Sequence, residues 1–294
     1  MDIYTIILPT YNDWKSLSIL LYQIEKYFKK KNKTFKVLII NDNSSEKNYY
    51  NLNKNKFFKE IRILNLRKNI GSQKAIATGL KYINRFYKKK DDKFIIMDSD
   101  GEDDPKKIKE IIQIIKKEKK TEIITMNRAL RKESFFFSIL YELHLLITFM
   151  ITFKYIRFGN FSFLNRKVLN KIVKKKDLWF AYSATLKKYF KINDSILAPR
   201  RKRISGKSKM SYLGLIHHSL NIQSVYIKNI FISYLFFLLI LGIFYFFNLF
   251  KIFSFFILLI IVLHFLSIFV SVKKEINGVN FSFLLNNIKS IVKV

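Results

Sequence analysis

Asp98 and Asp100 stand two residues apart at the end of the apolar run Ile95-Ile96-Met97. Carboxylates so spaced, just past a buried strand, suit a hard divalent cation, because Mg²⁺ takes oxygen ligands and usually binds one or two carboxylates together with substrate phosphates. A cation held there neutralises a departing diphosphate. The competing reading is an acidic loop capping the next helix, since Asp103 and Asp104 precede Pro105 and suit a helix N-terminus. Other polar clusters accompany the pair: Pro9-Thr10-Tyr11-Asn12-Asp13, Asn41-Asp42-Asn43-Ser44, and Asn69-Ile70-Gly71-Ser72-Gln73-Lys74-Ala75. The last opens a helix, whose backbone N–H groups and positive dipole end, with Lys74, suit phosphate. Later come Arg200-Arg201-Lys202-Arg203 and Gly206-Lys207-Ser208-Lys209. A flexible basic loop can fold over phosphate oxygens, and Arg does so through two N–H groups at once. A basic patch next to a membrane, drawn to anionic lipid, explains the same residues, and both readings stand.

The elements that must position these residues alternate. Ile3 to Leu8, Phe35 to Ile40, Ile61 to Leu66, Phe94 to Met97 and Glu122 to Met126 read as buried strands. Ser16 to Phe28, Gln73 to Phe86 and Pro105 to Lys117 read as helices, with Pro105 in a first turn where its missing N–H costs little. Strands alternating with helices predict a mostly parallel sheet covered on both faces, with ligand at the carboxyl ends of the strands. The clusters after strands one, two and four fall at those ends.

The chain then changes character. Phe135 to Phe153 is long enough to span a bilayer, but Glu142 within it and the basic flanks Arg131, Lys132, Lys154 and Arg157 point to a helix lying in the interface. Arg128 and Arg131 just before it are placed to meet a lipid phosphate, or form a solvated basic turn. Segments 229–250 and 252–272 contain no Asp, Glu, Lys or Arg, and each reaches the roughly 20 apolar residues needed to cross hydrocarbon. Joined by so short a link, they predict a transmembrane hairpin, which could also pair between copies of the chain. The excess of Lys and Arg outside it places both termini in the cytoplasm. The expected organisation is a catalytic domain over 1–215, a juxtamembrane segment over 216–228, the hairpin, and an amphipathic tail over 273–294.

Lys and Arg number 54 against 21 Asp and Glu, a formal charge of +33 over 294 residues. Such a charge suits an anionic partner, although abundant Lys, Ile, Asn and Phe also carry the imprint of an A/T-rich genome. Cysteine is absent, which excludes disulfides, thiolate metal sites and a cysteine nucleophile. Asp2 directly after Met1, and Pro9 cutting short the first apolar stretch, do not fit a signal peptide. The four histidines lack metal-ligand spacing and read as core or interface residues.

In order and spacing the clusters resemble family 2 glycosyltransferases with the GT-A fold, and more narrowly the branch that loads sugars onto polyprenyl phosphates, as dolichol-phosphate mannose synthase-like enzymes do. The opening Pro-x-Tyr-Asn is Pro9 to Asn12, and Asp42 matches the acidic turn after strand two, with Asn41 where a second Asp is common. Asn-x-Gly-x-x-x-Ala-x-x-x-Gly is met by Asn69, Gly71, Ala75 and Gly79. Asp-x-Asp followed by Gln-Asp-Pro is matched more loosely, by Asp98 and Asp100, then Glu102-Asp103-Asp104-Pro105. Arg-x-x-Arg-x-x-Gly-x-Ser-Lys is complete in Arg200, Arg203, Gly206, Ser208 and Lys209.

The resemblance implies Mg²⁺ or Mn²⁺ at Asp98 and Asp100, with Arg200 and Arg203 sharing in catalysis. It implies a nucleotide-sugar donor against Pro9, Thr10, Tyr11, Asp13, Asp42, Asn69, Gly71, Gln73, Lys74, Asp98 and Ser99. A polyprenyl phosphate acceptor is expected at Arg128, Arg131, Asn160, Ser208 and Lys209, with inversion at the sugar, in assembly of cell envelope polysaccharide at the inner (cytoplasmic) membrane. Nucleic acid is not expected as a partner. Gly159-Asn160-Phe161 departs from a common Gly-Asp-Phe. Asn160 cannot take a proton; a hydroxyl acceptor needs a base, whereas an ionised lipid phosphate is its own nucleophile. The alternatives are transfer to a hydroxyl of a glycolipid or polysaccharide, and a non-catalytic basic membrane protein.

Overall fold

The computed structural model describes residues 3–30, 33–46, 57–87, 92–129, 135–155, 157–206, 212–247, 251–278 and 281–294. Their contacts divide the chain into two units, one formed by 1–132, 157–208 and 281–294, the other by 133–156 and 209–280.

The first unit is built on one eight-stranded sheet. Its strands are β1 (Ile3–Thr10), β2 (Thr34–Asn41), β3 (Glu60–Leu66), β4 (Lys93–Ile96), β5 (Ile123–Ala129), β6 (Phe158–Asn165), β7 (Asp194–Pro199) and β8 (Ile288–Lys293), in the order β7-β5-β6-β4-β1-β2-β3-β8. β3, β2, β1 and β4 run parallel, as do β5 and β7. β6 runs antiparallel between β4 and β5. β1 is buried from Tyr4 to Thr10, the near-continuous burial of a strand covered on both faces. Tyr4, Ile6 and Leu8 join a core with Leu17, Leu20 and Ile24 of α1 (Trp14–Phe28) and with Ile108, Ile111 and Ile115 of α3 (Lys107–Lys117). These helical positions recur every three or four residues, the spacing of a buried face. On the opposite sheet face lies α2 (Ser72–Phe86), where a Cβ at Gly79 would stand 2.8 Å from Ile40 Cδ1. Glycine there lets helix and sheet approach closely. The predicted strands and helices up to β5 are all present. Between 158 and 199 the structure adds β6, α5 (Arg166–Ile172), a 3₁₀ turn (Lys176–Trp179), α6 (Tyr182–Tyr189) and β7.

The expected amphipathic tail over 273–294 is corrected. After a 3₁₀ turn (Phe281–Asn287), β8 pairs antiparallel with β3, placing Arg62 opposite Lys293 and Leu64 opposite Ile291. Asn65 Nδ2 donates to Ser290 Oγ at 3.0 Å, and Arg67 Nε donates to Asn286 O at 3.1 Å. The physical reason is the outer edge of β3: without β8 its backbone N–H and C=O groups form an open template for another chain.

The second unit contains α4 (Phe135–Thr152), α7 (Tyr212–Ser224), α8 (Ile227–Phe246) and α9 (Lys251–Gly278). Within α8 and α9, Ile227–Phe246 and Ser254–Lys273 have mean hydropathies of 2.2 and 2.9 and are long and apolar enough to cross a membrane. They coincide closely with the two expected spans. Most of their side chains face outward, including Phe236, Leu239, Phe255 and Val270. Polar ties join the helices: Ser271 Oγ donates to Asn221 Oδ1 at 3.0 Å, Ser233 Oγ to Ile151 O at 3.0 Å, and His264 bridges Tyr234 and Gln223. On α4, Leu145, Thr148 and Ile151 are buried, while Leu146, Ile147, Phe149 and Met150 are exposed.

Candidate active site

Four loops at the carboxyl ends of β1, β2, β4 and β7 converge, together with the start of α2 and residue 160 of β6. The first two are laced by Asn12. Its N–H donates to Ser44 Oγ at 2.9 Å, and its Oδ1 accepts the Ser45 N–H at 2.9 Å. Asn12 and Asn43 both adopt positive φ, a conformation Asn tolerates better than most residues. Pro9 and Thr10 close β1. Thr10 is buried, and its hydroxyl has no hydrogen-bond partner among the described residues. Tyr11 is exposed.

Asp42 is buried after β2, and its two oxygens accept the N–H groups of Ile70 and Gly71, each at 2.8 Å. Asn69 Oδ1 accepts the same Gly71 N–H at 3.1 Å. Burial pushes the Asp42 carboxyl up to about 6, against the pull of those two N–H groups and of Lys74. Asp42, expected at the nucleotide-sugar donor, thus fixes the chain leading into α2. Lys74 lies over the ring of Trp179, 4.6 Å from its centroid.

After β4 the acidic loop turns back on itself. The Asp98 N–H donates to Asp103 Oδ2 at 3.0 Å, and the Glu102 N–H donates to Asp100 Oδ1 at 3.0 Å. Asp103 therefore braces Asp98 from within the loop, and no side chain caps the first turn of α3. Ser99 is buried between the two aspartates. Burial and the neighbouring Asp98 charge lift the Asp100 carboxyl to about 6, the effect of two carboxylates brought together out of water.

The basic segment after β7 lies on this loop as a strap. The Arg201 N–H donates to Glu102 O at 2.8 Å and the Ile204 N–H to Asp100 O at 3.0 Å. Gly101 has a φ of +79°, and a Cβ there would overlap Ile204 Cδ1. Arg203 bridges two carboxylates, pairing with Asp13 and donating from Nη1 to Asp100 Oδ2 at 3.1 Å. Arg200 pairs with Glu102, and Arg201 reaches Gln23 and Asp104.

Asn160 and Gln73 meet beside the acidic pair. Asn160 Nδ2 donates to Asp98 Oδ1 at 2.8 Å, and Gln73 Nε2 donates to Asn160 Oδ1 at 3.1 Å. The residue expected among acceptor contacts sits against the acidic pair, and the glutamine expected at the donor is engaged by the protein. Arg128 lies in β5 opposite Ala198 of β7. Arg131, Ser208 and Lys209 lie outside the described residues. Sequence reasoning missed Glu102 as the partner of Arg200, and Tyr182, whose N–H donates to Gln73 Oε1 at 2.8 Å. No local pattern marks either.

The donor set fits a hard divalent cation. Two half-buried carboxylates, partly balanced by Arg203, gain from a cation between them, and Mg²⁺ commonly takes such a pair plus phosphate oxygens. Among the described residues there is no cluster of three or more His, Cys, Asp or Glu placed to hold a metal.

Comparison with known proteins identifies the family. The family model described as glycosyl transferase family 2 matches residues 5–180. Among solved structures, the chain is similar to S. aureus TarS 1–349 in complex with UDP-GlcNAc, with 17% identity, a TM-score of 0.46, and coverage of 78% of this chain and 67% of that one. It spans 40% of a longer TarS chain and 66% of TarS 1–349 in another crystal structure. Mannosyl-3-phosphoglycerate synthase from Rubrobacter xylanophilus is similar at 10% identity and a TM-score of 0.48, covering 76% of this chain and 72% of that one. Glucosyl-3-phosphoglycerate synthase from Mycobacterium tuberculosis, in complex with Mn²⁺, UDP and glucosyl-3-phosphoglycerate, is similar at 9% identity and a TM-score of 0.46, covering 78% and 80%. No curated protein matches the sequence. The family match runs from β1 through the acidic loop and β6 to residue 180, over the α/β sheet described above, and the chain belongs to glycosyl transferase family 2.

Proposed function

We propose that this glycosyltransferase moves a sugar from a nucleotide-sugar donor to a lipid phosphate of the polyprenyl class, inverting the anomeric carbon. The observation that carries the reading is the acidic pair beneath an arginine strap, with an amide rather than a carboxylate at residue 160. A phosphate acceptor needs no base. Its ionised oxygen attacks the anomeric carbon, the bond from that carbon to the diphosphate breaks, and the nucleoside diphosphate departs with both bonding electrons.

Mg²⁺ or Mn²⁺ at Asp98 and Asp100 would neutralise the charge developing on that diphosphate. The chain's own residues supply the rest. Thr10 and Asp13, with the α2 start braced by Asp42, border the donor. Arg203, shared between Asp13 and Asp100, and Arg200, paired with Glu102, gather phosphate oxygens. The two apolar helices support a membrane location, with the catalytic unit and both termini on the cytoplasmic side. Confinement of enzyme and acceptor to one surface raises their encounter frequency.

The test incubates detergent-purified protein with polyprenyl phosphate and a panel of labelled nucleotide sugars, with and without chelator. Label should enter the organic phase with one donor, only when metal is present, and be released by mild acid. Acid-stable label in a glycoside would assign the acceptor to a hydroxyl.

A further inference from the structure

Gln73, Asn160 and Asp98 form a run of hydrogen bonds whose direction is set from its far end. The Tyr182 N–H can only donate, and it donates to Gln73 Oε1 at 2.8 Å. The Gln73 amide must then turn its NH₂ toward Asn160, where Nε2 meets Oδ1 at 3.1 Å. Asn160, with its carbonyl so engaged, presents its own NH₂ to Asp98 Oδ1 at 2.8 Å. Oxygen and nitrogen of an amide are assigned from their partners. Here a backbone donor at one end and a carboxylate acceptor at the other demand the same assignment.

Tyr182 holds residue 160 a second way. Its hydroxyl lies 2.6 Å from Ser162 Oγ, and Ser162 Oγ donates to the Asn160 carbonyl at 3.0 Å. The tyrosine, at the first turn of α6, is fully buried. Side chain and backbone of Asn160 are therefore both anchored to one rigid residue. An aspartate at 160 would have no hydrogen to offer Asp98 and would face it with like charge.

We propose that Asn160 is a positioning residue for Asp98, oriented by Gln73 and Tyr182, and that this relay fixes the carboxylate for its cation. The inference rests on the reading of Asp98 as a cation ligand. Hydrogen-bond partners of ligating groups hold metal affinity or activity at a level that falls about 10–100-fold when they are removed.

The probe is Mn²⁺ alone, titrated into the full-length protein in detergent and followed by the EPR signal of the free ion. Asp98→Ala should abolish the site. Asn160→Ala should weaken Mn²⁺ binding by about 10-fold or more. Gln73→Glu is the sharper variant, because it keeps the shape and the bond from Tyr182 N–H. Its second oxygen accepts rather than donates, so Asn160 must turn its NH₂ toward residue 73 and its carbonyl toward Asp98. The relay therefore predicts weaker Mn²⁺ binding in Gln73→Glu, whereas simple attraction to an added negative charge predicts tighter binding. Should Asn160→Ala fail to fold, the Gln73→Glu arm decides alone. Unchanged affinity in Asn160→Ala, or tighter binding in Gln73→Glu, overturns the relay and leaves the carboxylate reading standing. Unchanged binding in Asp98→Ala overturns both.

Discussion

Asp42 has two loads at residue scale: it satisfies two backbone N–H groups, and it does so in a place that disfavours its charge. Its carboxyl, lifted from 3.8 to about 6, binds a proton more readily folded than unfolded. Its contribution to stability is therefore largest at low pH and is lost as pH rises from about 4 to about 6. Asp42→Asn should flatten that part of the pH profile relative to the parent. At neutral pH the variant should be no less stable than the parent, because the neutral amide escapes the burial penalty on the charge, which outweighs the one bond it cannot accept. Denaturant midpoints measured from pH 4 to 7 check both. Arg203→Ala leaves the buried Asp13 and the half-buried Asp100 without their shared counter-charge, which should cost about 2 kcal/mol by the same measurement. Arg203→Lys should recover little, because an ammonium lacks the planar fork that serves two carboxylates. Asp98, Asp100 and Asp42 were legible because each ends an apolar run that must be a strand. The roles of Gln73 and Asn160 were not, because they depend on Tyr182, 109 residues from Gln73 along the chain.

Elements bring these residues together, and two contacts between elements decide how firmly. The strap after β7 lies on the acidic loop through Ile204 against Gly101. Gly101→Ala introduces a Cβ into that contact at a positive φ, so it should lift the strap. The expected result is a drop in transfer rate of at least about 10-fold, the scale at which small misplacements act, together with a loss of about 1 kcal/mol from the positive-φ strain. Steady-state kinetics beside a melting curve separates the two. The other contact is β8 on β3. Removing residues 288–294 should expose the β3 edge and raise self-association, read by light scattering or size exclusion in detergent. Strands β1 to β5 announce themselves as apolar runs between turn residues. β8 does not, because six mixed residues become a strand only beside β3, far away in sequence. β6 and β7 were missed likewise: Phe158–Asn165 mixes apolar and polar residues in a run that nothing local marks as a strand.

For the whole molecule, the all-round apolar character of α8 and α9 was plain from the sequence, since no charge interrupts either segment. What joins them to α7, through Gln223, His264 and Tyr234, was not, because those partners come from three helices. The proposed reading, a transferase held at a membrane with an amide at residue 160, makes chemical sense if its acceptor arrives already charged and already in the bilayer. Labelled nucleotide sugar offered to detergent-purified protein with either polyprenyl phosphate or the dephosphorylated polyprenol tests this most directly. Metal-dependent transfer to the phosphate, and none to the alcohol, is the predicted result. Transfer to the alcohol at an equal or greater rate would contradict the account.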